Sequence, residues 1–219
     1  MRKNRGSRSK PVSSRVWERT GLQLSPLSPK IAKRARRFDV GRDVELRVAE
    51  VNQLDVLCDI DLDAWRLFDQ AGLELTFPND LEFAAMERAR WLYCLRSGTT
   101  LLASNRSREV IGFAALRVLD GEPYLEQLSV RMHAMRKGIG TALLDAAVRV
   151  AEKTRARSVW LTTYRHLPWN APFYEKAGFG IVPVEQCGSE VVQELALQRR
   201  LLPASDERVA MCKVLGPPN

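Results

Sequence analysis

Tyr124-Leu-Glu-Gln-Leu-Ser-Val130 runs directly into Arg131-Met-His-Ala-Met-Arg-Lys-Gly-Ile-Gly-Thr-Ala-Leu-Leu144. The first stretch reads as a buried strand, the second as a basic, glycine-containing turn that opens a helix over 138–154. On that helix Ile139, Ala142, Leu143, Ala146, Ala147, Val150 and Ala151 recur at helical spacing as one apolar stripe. The alanines let it lie close to a sheet. Gly138 and Gly140 leave backbone N–H groups facing outward at the positive end of the helix dipole, a cradle suited to a pyrophosphate. Arg136 and Lys137 add cationic side chains beside it. Two familiar phosphate loops do not fit. A Walker A loop needs Lys-Ser/Thr after its second glycine, where Thr141-Ala142 stands, and a dinucleotide fingerprint needs a small residue at 143, which is Leu.

Outward from this segment, Val44-Glu45-Leu46-Arg47-Val48 alternates as a half-buried strand. Helical patterns over 53–71 and 79–96 follow, the second introduced by Pro78 and an Asn79/Asp80 cap signal. Strand-like runs over 99–103, 110–118 and 123–130 are divided by turn residues, with Asp120-Gly121 suited to a tight hairpin. After the long helix come a strand over 158–163, a short helix over 172–177, a strand over 179–182, a helix over 189–200 and a strand over 208–214. The order βαα-βββ-αβαβ-(α)β predicts an α/β protein of α+β type, built around one sheet.

The 219 residues suffice for one domain with an appendage. Net charge is +8, and its location matters. Residues 1–40 hold 12 Lys and Arg against Glu18 and Asp39, net +10, which leaves the remainder at −2. The basic character therefore belongs to a Ser-, Pro- and Arg-rich extension over 1–40, expected to be a disordered solvated tail, with a short basic helix over 31–37 as an option. Its acid-poor composition also fits an organellar transit peptide. The folded domain is assigned to 41–219. Cys58, Cys94, Cys187 and Cys212 form no CxxC pair, which excludes a zinc ribbon and fits reduced thiols in a cytoplasmic protein. No metal site is expected. No apolar run reaches the roughly 18 residues of a membrane span.

Two motifs make the chain resemble the GNAT superfamily of acetyl-CoA-dependent N-acetyltransferases, over roughly 44–215 and most strongly over 124–180. One is the family's Arg/Gln-x-x-Gly-x-Gly/Ala loop, which stands here as Met135-Arg136-Lys137-Gly138-Ile139-Gly140, with Met in the leading place. The other is Asn170-Ala-Pro-Phe-Tyr-Glu-Lys-Ala-Gly-Phe179, similar to the family's Asn…Tyr-x-x-x-Gly-Phe segment with a shorter gap. The resemblance implies a mixed, mostly antiparallel sheet flanked by helices, with a splayed strand pair that holds acetyl-CoA. It assigns the cosubstrate to Leu128, Val130, Met135, Arg136, Lys137, Gly138, Ile139, Gly140, Thr141, Asn170 and Tyr174. Leu128 N–H becomes the donor to the thioester carbonyl and Val130 a pantetheine partner.

Direct attack of an amine on a thioester needs an oxyanion donor, a base for the ammonium proton and an acid for the leaving sulfur. The resemblance makes Tyr174 the acid, against a core aromatic beside Phe173 and Phe179. Glu126 is one candidate base. Simple alternation puts it on the face of Tyr124, Leu128 and Val130, whereas a bulge would bring Gln127 inward. His166 is another, in a loop expected to border the site, with a role-free loop histidine as the alternative. His133 is expected to face solvent. Helix 53–71 carries Asp55, Asp59, Asp61, Asp63 and Asp69, read either as an acidic rim for a cationic amine or as a solvated face. Trp65, Phe68, Phe77 and Trp91 are candidate pocket or core residues. The acceptor is expected to be a small primary amine, with a protein N-terminus or lysine as the alternative. A different class, a non-catalytic acyl-CoA-binding module whose basic tail binds nucleic acid, stays open, as does monomer or homodimer.

Overall fold

The computed structural model describes residues 38–39, 44–73 and 80–216, with backbone alone at 38–39 and 80–84. The basic helix option at 31–37, Phe77, and the Pro78/Asn79 signal lie outside the described residues. Eight strands of these residues form one sheet in the order β1-β2-β3-β4-β5-β6-β8-β7. They are β1 (Phe38–Asp39), β2 (Val44–Val48), β3 (Thr100–Asn105), β4 (Val110–Leu119), β5 (Glu122–Val130), β6 (Ser158–Tyr164), β7 (Gly180–Val182) and β8 (Arg208–Val214). Every neighbouring pair is antiparallel except β5 and β6, which are parallel. The helices are α1 (Leu54–Gln70), α2 (Asp80–Arg96), α3 (Ile139–Lys153), α4 (Ala171–Lys176) and α5 (Ser189–Leu201). None of the described helices is long and apolar enough to cross a membrane.

The periodicities act as expected. The α3 stripe is buried, and Ala142, Ala146, Ala147 and Ala151 bring the helix against Leu116, Leu125 and Leu161 in the main core. On the other face Leu57, Ile60, Trp91, Cys94 and Phe113 form a second core under α1 and α2. Trp91 and Phe113 meet edge to face at 5.8 Å, so Trp91 is core. A third cluster, with Leu119, Tyr124, Val191 and Leu195, seats α5 on that face.

Asp120 explains how α5 is held. It takes the left-handed conformation of the β4–β5 turn, and its carboxylate accepts from Glu190 N–H and Val191 N–H, each at 3.0 Å, in the first turn of α5. The Glu190 carboxylate accepts from Asp120 N–H in return. This reciprocal pair caps the first turn of α5 from a distant segment. Gly188 is required there, because an added Cβ would stand 2.2 Å from Asp120.

One register shift governs everything near the site. Gln127 lies opposite Ala115 but Leu125 opposite Leu116, so Glu126 is an extra residue in β5, a β-bulge. Glu126 and Gln127 consequently face the α1–α2 side together. Leu128 and Val130 face the α3 core. The expectation that Glu126 shares a face with Leu128 and Val130 is overturned, because the bulge reverses the alternation between them.

Candidate active site

β5 and β6 pair only at Tyr124 and Trp160, and then separate toward their C-terminal ends. Arg131 N–H donates to the Ile111 carbonyl of β4 at 2.8 Å. Alternation turns the amides of Ser129 and Arg131 toward β4 and those of Leu128 and Val130 away from it, into the opening beside β6. A cleft of about 510 Å³ occupies this opening, lined by β5 from Leu125 to Val130 and by β6 from Leu161 to Tyr164.

One end of the cleft reaches the glycine loop, where Met135, Arg136, Gly138, Gly140 and Thr141 line it. Arg136 and Gly138 both have positive φ, 59° and 78°. This left-handed pair coils the chain so that α3 starts immediately afterwards. Ala142 N–H is the first amide of α3 to find an acceptor, the Gly138 carbonyl at 2.9 Å, and no side chain caps the helix. The amides of Ile139, Gly140 and Thr141 therefore keep the donor capacity that every helix start leaves over. A Cβ at Gly140 would touch only Phe173 and Val130, at 3.7 and 3.9 Å. Lys137 and Ile139 do not line the cleft. Lys137 Nζ donates to the His133 carbonyl, and Ile139 is buried in the core.

Asn170, Phe173 and Tyr174 border the cleft from α4. Gly178, at φ +87°, ends this helix in the left-handed conformation, and Phe179 N–H returns to the Tyr174 carbonyl at 3.1 Å. Phe179 then packs on the Tyr174 ring at 5.8 Å. The Gly-Phe pair thus sets the position of the tyrosine. Burial raises Tyr174 well above the usual phenol range, although Arg208 opposes this. Its hydroxyl therefore keeps its proton at neutral pH.

The other end of the cleft is lined by α1, α2 and α5. Glu126 lies here, but it does not stand free. Its carboxylate accepts from Arg90 at 3.1 Å and from Arg117, and its side chain is 3% exposed. Both arginines also hold Glu194, and Arg117 lies over the Tyr124 ring at 4.9 Å. Both of its oxygens thus already accept from arginines. His166 is not brought to the cleft at all. It lies beyond the end of β6, 42% exposed, with Nδ1 3.4 Å from Glu207. His133 faces solvent 3.5 Å from Glu109.

Two other carboxylates line the cleft: Asp61, which the sequence grouped with the acids of a possible rim, and Glu87, which it did not single out. Asp61 on α1 is 3% exposed and lines the cleft. It accepts from Ser129 Oγ at 2.6 Å and from Gln127 Nε2 at 2.5 Å, the residue that the bulge turns inward. Burial raises its pKa to about 6 against these hydrogen bonds. Glu87 on α2 also lines the cleft, 3.6 Å from Arg90, and burial raises it to about 8. The signal for Asp61 was present: it falls on the apolar stripe of Leu57, Ile60 and Ala64. The other acids of α1 do not form one rim. Asp55 pairs with Arg88, Asp63 accepts from Met132 N–H at 2.8 Å, and Asp59 and Asp69 are exposed. Trp65 and Phe68 do line the cleft.

A splayed parallel strand pair, an uncapped glycine-rich helix start at one end and a carboxylate-bearing chamber at the other define an acyl-transfer site. Residues 54–179 match the Acetyltransferase (GNAT) family, and the chain belongs to it. It is an acyltransferase, with acetyl-CoA as cosubstrate. The fold is similar to that of the PaiA N-acetyltransferase of Thermoplasma acidophilum solved with coenzyme A, at TM-score 0.57 and 19% identity, covering 78% of this chain and 99% of that one. A GNAT-family acetyltransferase of Staphylococcus aureus Mu50 aligns at TM-score 0.58 and 17% identity over 79% and 99%. The N-acetylglutamate synthase of Neisseria gonorrhoeae, solved with coenzyme A and N-acetyl-glutamate, aligns at 0.57 and 13% over 82% of this chain and 36% of that one.

Proposed function

We propose that the chain transfers the acetyl group of acetyl-CoA to a small primary amine by direct attack. The observation that carries this reading is the continuous cleft through the β5–β6 opening, with free amides at one end and the Asp61 chamber at the other. The cosubstrate supplies an activated acetyl thioester. The amides of Ile139, Gly140 and Thr141, with Arg136, suit its pyrophosphate, and Val130 suits the pantetheine arm. Leu128 N–H is the donor proposed for the carbonyl oxygen as it gains charge.

Asp61 is the proposed proton acceptor for the incoming ammonium, with Glu126 and His166 set aside on geometry. Nitrogen then attacks the carbonyl carbon and the carbon–sulfur bond breaks. Tyr174 gives its proton to the departing thiolate, and the second proton of the nitrogen restores the phenol. The chain thus ends one proton richer at Asp61, which passes to solvent. Because Leu197, Gln198 and Leu201 of α5 line the chamber, a small acceptor is favoured over an extended peptide. Residues 1–37 are left outside this chemistry, whereas Phe38 and Asp39, which the sequence reading put in the extension, pair with β2 as part of the sheet. Four unpaired thiols are in keeping with a reducing compartment such as the cytoplasm.

Calorimetric titration with acetyl-CoA, followed by thiol release across a panel of amines, tests the proposal. Micromolar coenzyme binding and turnover of small amines are expected. No binding at millimolar coenzyme, or turnover of peptides alone, would overturn it.

A further inference from the structure

Arg208, the first residue of β8, is unlike the other buried cations at this site. Arg90 and Arg117 are each held by carboxylates. Arg208 is 7% exposed, yet no carboxylate of the described residues pairs with it. Its guanidinium lies 4.6 Å over the Tyr164 ring, one Nη donates to the Gln198 side-chain oxygen, and Nε is buried without a partner. Gln198 is fixed in turn, since Thr162 Oγ1 donates to the same oxygen at 2.6 Å and its amide donates to Glu194 at 2.8 Å. Glu194 acts on Arg208 electrostatically, but its direct ion pairs go to Arg90 and Arg117. Burial accordingly lowers the pKa of Arg208, whereas Arg90 and Arg117 are raised by their glutamates.

Arg208 borders the same cleft as Tyr174 and Leu128, and its partners Tyr164 and Gln198 border it too. The glycine loop that suits the coenzyme phosphates starts α3, which packs on the opposite face of the sheet from α5. An anion that reaches Arg208 therefore enters with the acceptor. Asp61 and Glu87 line the cleft from α1 and α2, so the chamber offers acids for an ammonium and one unpaired cation for an anion.

We propose that Arg208 binds the carboxylate of the acceptor, which is then an amino acid or an amine of similar size that bears a carboxylate. A guanidinium presents parallel N–H donors that match a carboxylate, and its free Nε is one of them. The aromatic face of Tyr164 and the Gln198 oxygen hold the fork in place before the ligand arrives. This inference rests on the reading that the cleft holds the acceptor.

The test uses the full chain and matched acceptors: L-amino acids, their carboxamides, and the corresponding decarboxylated amines. Wild type should favour the carboxylate form in kcat/KM. Arg208→Gln should lower that preference by about 10- to 100-fold, the loss of one charged hydrogen-bonded contact, and Arg208→Lys should restore part of it. Calorimetric titration of the amino acid in the presence of coenzyme A should show the same loss of affinity, while titration with acetyl-CoA verifies that the variants are folded. Equal turnover of carboxylate, amide and decarboxylated acceptors by wild type would overturn the proposal. So would a loss in Arg208→Gln that is the same for all three, which would assign Arg208 to the thioester or to the fold. If amines are acetylated without regard to the carboxylate, only this inference fails. If acetyl-CoA does not bind, the transferase reading fails and takes the inference with it.

Discussion

Replacing Asp61 by Asn separates the chemistry of this carboxylate from its packing. In the folded chain Asp61 titrates at about 6, against 3.8 for the ordinary side chain, because burial outweighs the hydrogen bonds from Ser129 and Gln127. At 1.36 kcal/mol for each pH unit, that separation corresponds to ~3 kcal/mol. The folded state binds this proton more tightly than the unfolded chain does. The stabilisation is therefore fully present below about pH 3.8 and is lost as pH rises through about 6. Asp61→Asn does not ionise, so at pH 7 it should be more stable than wild type by up to ~3 kcal/mol. The new amide donors facing Gln127 and Ser129 will reduce that gain. Removing the Asp61 charge also eases ionisation of Glu87 on α2, which that charge helps to raise, so the comparison is made in a Glu87→Gln background, where that contribution drops out. Activity should move the other way, with kcat lower by ~10²–10⁴-fold. Wild-type kcat/KM should rise about tenfold per pH unit below pH 6 and level off above it. Urea unfolding across pH 4–8, beside the pH–rate profile, checks both halves. An Asn variant that keeps wild-type turnover at pH 7.5 would refute Asp61 as base. A variant whose stability falls between pH 4 and 6 as wild type does would refute the burial reasoning.

Three other perturbations probe separate parts of the site. Tyr174→Phe should cut turnover at least tenfold and leave the acetyl-CoA dissociation constant within about twofold; equal turnover in a stopped assay would remove the phenol from the chemistry. Gly138→Ala puts a Cβ on a residue at φ +78° and should cost about 1 kcal/mol of stability and weaken coenzyme binding. Gly140→Ala meets only ordinary contacts, so denaturation curves should show it no less stable than wild type. Glu194 is wholly buried and accepts from Arg90, Arg117 and Gln198. Glu194→Ala leaves two buried arginines sharing the single charge of Glu126 and should lower the unfolding free energy by about 3–5 kcal/mol. A loss below 1 kcal/mol would show that water enters the network freely.

The sequence alone carried the order of the elements and the face that each helix buries, because hydrophobic periodicity and turn chemistry are local. It also carried the strand–turn–helix of 124–144 and the Tyr174…Gly178-Phe179 cap, whose residues meet within a few positions of one another. Which side chains reach the cleft was settled at longer range. One extra residue in β5 places Glu126 beside Arg90 and Arg117, 36 and nine positions away along the chain, and brings Gln127 to Asp61. No periodicity in a single strand records such a bulge, since it exists only as a mismatch between two strands. Likewise, Asp61 differs from Asp55 and Asp59 only through what packs over it, and Arg208 is exceptional only because no carboxylate from another element meets it. The chain's +8 charge shows the same division. Arithmetic along the sequence moves it out of the domain, but only the folded structure shows that Arg208 is buried with no carboxylate of the described residues paired to it.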